Sequence, residues 1–401
     1  MLSSGRGKGS PGALNMSIWT LRMPGKAGAF TRGRLGMTER PVPWSVWNIL
    51  ASRKRQRALA GGLLFTKTSY PLASLDSSKL SPTARSIIEP WRRWEELESA
   101  TMLRGSTFIE PALGWVICDP AHLVDTSLID SPFAPRPRLS AYLRARALRR
   151  RIRREKAIIH LRSWGEGNYW HFLNDLLGGR LRLAEACGIP DDVPVLIGER
   201  AYARPFVREL AERGAFGTRR LLVQGSEYIH ADEVVVFGTA RSNRQNFDFV
   251  LDRLDAPGGD ASKRRRIFLS RQDGSGRTIS NHRDVATICG EFGFDIVRTE
   301  RMTVEEQMAL FGEAAYLIGI HGAGLVNMMF RRGAPLRVLE IFPPSELLSW
   351  GTTPPHYCYM AQAFGFDYDA LITSETRRGD YRSPFWLDPT ALRERIEAML
   401  T

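Results

Sequence analysis

Short apolar runs of strand length alternate with amphipathic segments of helix length in two successive stretches of the chain, 157–255 and 263–401. A short apolar run between turn signals is typical of a buried strand, and apolar residues three and four positions apart are typical of a helix. The predicted strands lie at 157–161, 195–197, 221–223, 234–237, 266–270, 295–297, 316–320 and 337–341. The predicted helices lie at 169–187, 203–213, 281–292, 303–315, 360–364 and 388–400. This alternation predicts a mostly parallel α/β sheet in each stretch.

A chain of 401 residues is too long for one ordinary core, so we expect more than one domain. Changes in composition along the chain then suggest four segments. We predict a disordered basic tail (1–40), a mixed N-terminal region (41–156), a first α/β domain (157–255) and a second α/β domain (263–401). Within the mixed region, the pattern predicts a helix at 91–103, a hairpin of strands at 107–109 and 114–118, and a basic helix at 140–156. With two such α/β domains, a ligand is expected between them, at the carboxyl ends of the strands.

The net charge of +13 is unevenly distributed along the chain. The first 38 residues contain no acid, and the segment 144–156 holds seven arginines and one lysine against Glu155 alone. Such a segment fits an anionic membrane or a polyanionic substrate, and it equally fits a solvated helix face. The segment 43–66, where tryptophans precede a basic cluster, fits either an amphipathic membrane contact or packing against the body of the protein. No nucleic-acid-binding motif accompanies the charge, so we predict no nucleic acid partner.

The sequence lacks the signals of a membrane-spanning or secreted protein. It has no run of about 18 apolar residues, and its first residues lack the apolar core of a signal peptide. The four cysteines are widely scattered and match no metal-binding spacing, which favours reduced, structural thiols. We therefore expect a cytoplasmic protein that the basic segments can hold at the inner face of the membrane.

The segment 317–327 reads as a buried strand, a glycine-rich turn and the first turn of a helix. Gly322 and Gly324 permit a tight turn and a close approach of the backbone. A turn of small residues at the beginning of a helix leaves backbone N–H groups unbonded, which suits an anionic ligand such as a phosphate. A tight strand-to-helix turn without a ligand is the alternative interpretation.

Polar residues of the second domain follow directly after predicted strands. Arg271 follows one strand, Arg277 lies in the next loop, His321 follows another strand, and Glu340 lies near the end of a third. If these strands are parallel neighbours, their ends lie at one edge of the sheet. Two guanidinium groups beside a helix N-terminus can neutralise a diphosphate, and a carboxylate at a strand end can bind a ribose diol. The alternatives are surface arginines and a salt-bridged carboxylate.

This arrangement resembles the glycosyltransferase 61 family. The resemblance begins at Gly167-Asn168-Tyr169-Trp170-His171-Phe172-Leu173-Asn174-Asp175, which looks like the family's aromatic-His-Trp…Asp signature, and it covers about residues 157–370. It continues through Arg266-Ile267-Phe268-Leu269-Ser270-Arg271, Arg277, Asn281, Gln307, Ala314, Gly319-Ile320-His321-Gly322-Ala323-Gly324-Leu325-Val326-Asn327, Phe330 and Val338-Leu339-Glu340-Ile341-Phe342-Pro343. Two departures are His282, where the family usually has Glu, and the order Trp170-His171, where His-Trp is common.

The resemblance implies a GT-B-type fold, with two Rossmann-like α/β domains facing across a cleft. It also implies an inverting transferase that moves a sugar from a nucleoside diphosphate, most often UDP, to an acceptor hydroxyl. Bacterial relatives are associated with capsular or other surface polysaccharides, so a glycan or a lipid-linked glycan is the expected acceptor. Arginines and a helix dipole can replace a metal ion at the diphosphate, and no Asp-x-Asp lies in a suitable loop, so we predict no required metal or other cofactor.

On this basis we assign roles to the candidate residues as hypotheses. An inverting transfer needs a base and a group that stabilises the departing diphosphate. Asp175 is the candidate base, and His171 lies one helical turn earlier on the same face. The alternative for this pair is a helix N-terminus that bonds its own backbone. The expected donor-binding residues are Arg271, Arg277, Asn281, His321, Gly322, Ala323, Gly324, Leu325, Asn327 and Glu340.

Two other classes of protein compete with the transferase. A catalytically inactive nucleotide- or glycan-binding scaffold on the same fold would keep the donor side while lacking turnover, and the departure at His282 keeps this alternative open. A dinucleotide-dependent oxidoreductase is disfavoured, because no Gly-x-Gly-x-x-Gly follows an early strand.

Overall fold

The structure is a computed structural model, and the residues that it describes all belong to one compact unit, Pro41–Thr401. The described residues are 63–68, 80–89, 97–118, 122–124, 135–148, 152–238, 243–271, 277–343, 355–372 and 384–401. The predicted basic tail (1–40) lies outside them, and so do most of the segment 43–66 and the arginines at 149–151. Those predictions therefore stay predictions.

The first sheet contains eight strands of the described residues. They are β1 (Leu63–Thr68), β2 (Leu97–Ile109), β3 (Val116–Cys118), β4 (His122–Leu123), β5 (Ile152–His160), β6 (Val195–Gly198), β7 (Leu221–Gln224) and β8 (Tyr228–Gly238). Their order is β4-β3-β2-β8-β5-β6-β7, and β1 pairs with β2. Strands β8, β5, β6 and β7 are parallel, and β2 joins them antiparallel to β8. The strand order reverses between β5 and β8, which is the switch point where α/β sheets bind ligands.

The second sheet is parallel throughout its five strands in the described part of the chain. They are β9 (Arg265–Leu269), β10 (Asp295–Val297), β11 (Ala314–Ile320), β12 (Arg337–Phe342) and β13 (Asp367–Ile372). The strand order is β10-β9-β11-β12-β13. The chain adds β10 on one side of β9 and then adds β11, β12 and β13 on the other side. The carboxyl ends of β9 and β11 therefore define a second switch point.

Helices connect the strands largely where the alternation predicted them, although the sequence predicted no helix at 244–253. They are α1 (Pro82–Ile88), α2 (Leu139–Leu148), α3 (π-helical over His171–Leu181 and α-helical over Arg182–Ala186), α4 (Glu199–Tyr202), α5 (Pro205–Glu212), α6 (Arg244–Arg253), α7 (His282–Glu291), α8 (Val304–Gly312), α9 (His356–Ala363) and α10 (Pro389–Leu400). A 3₁₀ helix, Ala323–Arg331, follows β11. The predicted beginning of α8 is confirmed, because Thr303 and Glu306 form a reciprocal capping box.

Polar contacts connect the helices of the first sheet to those of the second. The Tyr169 hydroxyl donates to Asn327 Oδ1 (3.1 Å). The Glu209 carboxylate of α5 accepts from the backbone N–H groups of Val304 and Glu305 (2.7 and 3.0 Å) at the beginning of α8. A carboxylate at a helix N-terminus is favourable. The largest apolar cluster also contains buried residues from both sets of helices, among them Phe172, Leu176, Phe247, Met328, Phe330 and Met360.

Two predictions for the mixed region were wrong in part. The segment predicted as a helix at 91–103 is extended from Leu97 onward, because β2 pairs with β8 on one side and with β1 on the other. Pairing with neighbouring strands overrides local helix preference. The basic helix predicted at 140–156 ends at Leu148, and Ile152 already pairs with Tyr228 of β8. The predicted hairpin is confirmed, with Thr107 opposite Cys118.

Candidate active site

The glycine turn after β11 lies against the arginine that follows β9. A Cβ atom added to Gly322 would stand 2.6 Å from Arg271 Nη1. Only a residue without a side chain therefore leaves room for this guanidinium beside the turn. The structure thus brings together the cation and the backbone turn that the sequence placed at one edge of the sheet.

The beginning of the 3₁₀ helix supplies fewer N–H groups to the site than predicted. The Leu325 N–H donates to the Gly322 carbonyl (3.0 Å), and the Leu325 side chain is fully buried. Leu325 therefore holds the turn together, and its amide is already bonded. Of the backbone amides predicted to bind an anion, those of Gly322, Ala323 and Gly324 therefore remain as candidates.

Arg277 lies in the same site in a strained backbone conformation. Its φ of 62° is in the left-handed region, which non-glycine residues seldom adopt. Its Nη1 donates to the His321 carbonyl (2.8 Å), so its guanidinium lies beside the glycine turn. Such strain costs about 1–3 kcal/mol and tends to occur at functional sites.

His321, itself nearly buried, is the first member of a chain of buried hydrogen bonds. Its Nδ1 lies 2.5 Å from Glu340 Oε1, and the Tyr368 hydroxyl donates to Glu340 Oε2 (2.5 Å). Glu340 is fully buried, and burial together with the Glu340 charge raises the pKa of Tyr368 well above its usual value. The carboxylate therefore fixes the imidazole of His321, and a ribose contact by Glu340 would require one of these bonds to be exchanged.

Asn281 and Asn327, both expected at the donor, are bonded within the protein. The Asn281 side-chain amide donates to the Leu387 carbonyl (2.8 Å) and accepts from the Leu387 N–H (3.0 Å). The fully buried Asn327 donates to Gln307 Oε1 (2.7 Å) and accepts from Tyr169. Both residues therefore support the site through the surrounding structure.

His171 and Asp175 form the pair that the sequence predicted. His171 Nδ1 lies 2.7 Å from Asp175 Oδ2 at the beginning of α3, where Asn168 Oδ1 accepts from the Trp170 N–H (3.0 Å). The other Asp175 oxygen accepts from Asn174 Nδ2 (2.7 Å). The Asp175 side chain is fully buried, whereas the His171 side chain is 27% exposed. His171 is therefore the member of the pair that a substrate can reach.

Aromatic contacts connect this pair to the glycine turn. Trp170, next to His171 in sequence, packs edge-on against Tyr357 of α9, with ring centroids 4.9 Å apart. Tyr357 in turn packs edge-on against His321, with centroids 5.3 Å apart. The carboxyl edges of the two sheets therefore meet around the Tyr357 ring.

Several contributors to the site were not identified from the sequence. Tyr357 and Tyr368 lie in segments that match no motif of the site, so only the folded chain reveals their contacts. His282, noted only as a departure, has Nε2 2.8 Å from Ser270 Oγ and so supports the turn that carries Arg271. Burial and the nearby charge of Arg298 lower the pKa of His282, which favours a neutral ring.

The described residues contain no group of three or more His, Cys, Asp or Glu side chains that could hold a metal ion. Within the same residues, no helix has the length and apolar character needed to cross a membrane. All four cysteines are free thiols, and burial raises the pKa of Cys187, Cys289 and Cys358. The expectation that no metal is required stays a prediction.

Replacing Gly322 with alanine should weaken the binding of a diphosphate while leaving the fold intact. The added methyl group would displace only the mobile end of Arg271, so we expect thermal unfolding to change little. Loss of one charge-assisted hydrogen bond, about 1.5–3 kcal/mol, predicts at least a tenfold loss of affinity for a nucleoside diphosphate. Gly290→Ala, in an open position of α7, is the matched control. Equal affinity in wild type and Gly322→Ala would contradict the proposed contact.

Comparison with known proteins agrees with this geometry. Residues 169–337 match the model of the family described as Glycosyltransferase 61. The match begins beside His171 and includes Arg271, Arg277 and the whole glycine turn. A comparison with curated proteins finds no match. Residues 169–337 are therefore similar to the glycosyltransferase 61 family, and this similarity indicates that the protein is a glycosyltransferase.

Proposed function

We propose that the protein is an inverting glycosyltransferase that moves a sugar from a nucleoside-diphosphate sugar, with UDP as the expected nucleotide, to a hydroxyl group of a glycan or lipid-linked glycan. One observation carries this proposal: the Tyr357 ring contacts both Trp170, which precedes the His171–Asp175 pair, and His321, which begins the arginine-lined glycine turn. The pair supplies a base and the turn supplies an anion site, which are the two requirements of the reaction.

In this proposal the two sheets are the two halves of a GT-B arrangement. Each has its own switch point, between β5 and β8 in the first sheet and between β9 and β11 in the second. His171 follows β5 in the chain, and the glycine turn follows β11 directly. The first half would hold the acceptor and the second half the donor, with the reacting sugar between them.

The donor site is built from cations and backbone N–H groups. Arg271 and Arg277 would bind the diphosphate together with the amides of Gly322, Ala323 and Gly324, in place of a metal ion. These groups also stabilise the negative charge that develops on the leaving diphosphate. His321, oriented by the Glu340 carboxylate, would contact the phosphate or the sugar.

His171 takes the role of base that the sequence assigned to Asp175. Asp175 is fully buried and bonded through both oxygens, so it cannot meet an acceptor hydroxyl directly. An ionised Asp175 accepts a hydrogen bond from Nδ1, which leaves Nε2 of His171 as the atom that takes the acceptor proton. Asp175 then orients the ring and stabilises the imidazolium that forms, as in other carboxylate–histidine pairs.

The biological setting extends this proposal. Surface or capsular polysaccharide synthesis at the cytoplasmic face of a membrane would supply a lipid-linked acceptor. Basic residues near the acceptor half, among them the exposed Arg144 and Arg154, would then favour an anionic surface. Vesicle binding that depends on anionic lipid and weakens with salt would support this placement.

A transfer assay tests the proposed activity. A panel of UDP-, GDP-, dTDP- and ADP-sugars is incubated with alkyl glycoside acceptors in the presence of a chelator, and the anomeric configuration of each product is read by NMR. We expect transfer from a UDP-sugar with inversion at the anomeric carbon. Retention would contradict the proposed base mechanism, and the absence of transfer from every donor would favour the inactive scaffold.

A further inference from the structure

The loop between β5 and the helix that carries His171 exposes a large aromatic side chain that the mechanism has not yet used. Trp164 is 51% exposed, which is the highest value among the large apolar side chains of the described residues. It belongs to none of their apolar clusters, whereas Trp170 is buried and packs against Phe247 and Tyr357. Packing within the protein therefore does not account for the whole Trp164 ring.

Hydrogen bonds fix the backbone on both sides of Trp164. The buried Arg162 donates through Nε to the Glu166 carboxylate (3.0 Å) and through Nη2 to the Pro111 carbonyl (3.1 Å). The carbonyl of the buried Ser163 accepts from the Glu166 N–H (3.2 Å). An aromatic side chain carried by an ordered loop loses little conformational entropy when a ligand covers it. Trp164 is therefore already arranged to bind.

The same loop packs against the proposed base. A Cβ atom added to Gly165 would stand 2.9 Å from His171 Cδ2, so the Gly165 backbone lies directly beside the imidazole. Cδ2 is bonded to Nε2, the nitrogen proposed to take the acceptor proton, and it is remote from Nδ1, which faces Asp175. Because neighbouring Cα atoms are about 3.8 Å apart, the Trp164 Cα lies within about 8 Å of the imidazole. An acceptor that reaches Nε2 therefore lies beside the loop that carries Trp164.

A second exposed aromatic side chain lies at the same edge of the first sheet. Tyr202 is 37% exposed and follows β6, which pairs in parallel with β5. The connections after these two strands touch each other, because the Glu166 carboxylate accepts from the Gly198 N–H (3.2 Å). A Cβ atom added to Gly167 would also stand 3.5 Å from Nε of the exposed Arg204. This edge therefore offers exposed aromatic surface together with a guanidinium donor.

A sugar ring has the chemistry that fits such an edge. One face of a pyranose presents mainly C–H groups, and its rim carries hydroxyl groups. The C–H face buries apolar area when it stacks on an indole, and the hydroxyl groups accept hydrogen bonds from polar side chains at the rim. The Gly165 contact places the loop beside the base, which a sugar acceptor has to reach and a lipid surface does not. The position of Trp164 therefore favours a sugar as its ligand.

We propose that Trp164 is the stacking platform of the acceptor subsite, and that it binds one sugar ring of the acceptor beside Nε2 of His171. The inference rests on the proposed function and specifies where its acceptor half holds the substrate. Stacking on a fixed ring acts equally on the bound acceptor and on the transition state, so Trp164 contributes to acceptor affinity and not to the chemical step.

Acceptor kinetics at saturating donor compare full-length Trp164→Ala and Trp164→Phe with wild type. We expect Trp164→Ala to raise the acceptor KM by at least about fivefold while kcat stays within about twofold, and Trp164→Phe, which keeps an aromatic face, to remain close to wild type. Trp386→Ala removes another exposed tryptophan of the described residues and should leave the acceptor KM unchanged. Because both tryptophans are exposed, every variant should unfold near the wild-type temperature.

A second measurement needs no turnover. Saturation-transfer NMR with methyl glycosides of common hexoses should show the strongest saturation on the C–H protons of one ring face, and Trp164→Ala should lose this pattern while Trp386→Ala keeps it.

The contradicting results separate the subsite from the activity. Transfer by wild type with an unchanged acceptor KM in Trp164→Ala would overturn the subsite alone. Weakened binding of Trp164→Ala to anionic vesicles, with unchanged saturation of the glycosides, would assign the ring to a membrane contact and would also overturn the subsite. If wild type showed neither transfer nor glycoside saturation, the proposed function would fail together with the subsite.

Discussion

Replacing His171 with alanine should lower kcat by about 10²–10⁴-fold, which is the usual contribution of a positioned general base. The ring nitrogen that accepts the acceptor proton is lost, while the donor half is untouched. Because the proposed diphosphate site lies at the glycine turn and His171 belongs to the acceptor half, donor affinity should stay within about twofold of wild type. Steady-state kinetics and equilibrium titration of the donor check the two parts separately.

The matched variant is Asp175→Asn, which keeps the shape of the buried side chain and removes its charge. We expect an intermediate loss of kcat, because the imidazole remains but its orientation and its imidazolium form lose support. If Asp175→Asn were inactive and His171→Ala retained turnover, the roles of the two residues would be the reverse of those proposed here.

Replacing Glu340 with alanine should lower the free energy of unfolding by about 3 kcal/mol or more. The substitution leaves the Tyr368 hydroxyl and His321 Nδ1 without their acceptor, and each unsatisfied buried group costs about 1–3 kcal/mol. The cavity left by the missing side chain of β12 lowers the free energy of unfolding further. Urea unfolding measures the effect.

Two controls distinguish the effect of removing a buried carboxylate from the effect of removing any carboxylate. Glu313→Ala removes a half-exposed carboxylate that pairs with Arg265 (3.3 Å) and should cost no more than about 1 kcal/mol. Tyr368→Phe removes one partner of Glu340 and should cost about 1 kcal/mol. A loss below about 1 kcal/mol in Glu340→Ala would show that the hydrogen-bond chain behind His321 is not a stabilising unit.

Periodicity predicted the elements around the site well, because each is short, apolar and bounded by turn residues. The strand before His321 and the capping box of α8 lie where the sequence placed them. β13 was missed, since its outward-facing Asp367 and Asp369 interrupt the apolar run while Tyr368 and Ala370 point inward. The helix predicted at 91–103 failed because sheet pairing, which the local pattern does not encode, decides the conformation of β2.

Residue chemistry predicted which groups lie at the site, but it did not predict their roles. Spacing indicated that His171 and Asp175 share a helix face, whereas burial alone shows that the carboxylate lies behind the imidazole. The same holds for Glu340. Its position at a strand end suggested a ligand contact, but its hydrogen-bond partners are the protein's own His321 and Tyr368. Depth within the fold depends on packing from distant segments, and a single sequence does not report it.

The most direct test of the account is calorimetric titration of a UDP-sugar into wild type and Arg271→Ala in the presence of a chelator. Arg265→Ala, at the opposite end of β9, is the matched control. The account predicts metal-independent binding that Arg271→Ala weakens by at least about tenfold and Arg265→Ala leaves unchanged. Equal binding by wild type and Arg271→Ala, or binding that appears only with added metal, would contradict an arginine-built diphosphate site at the glycine turn.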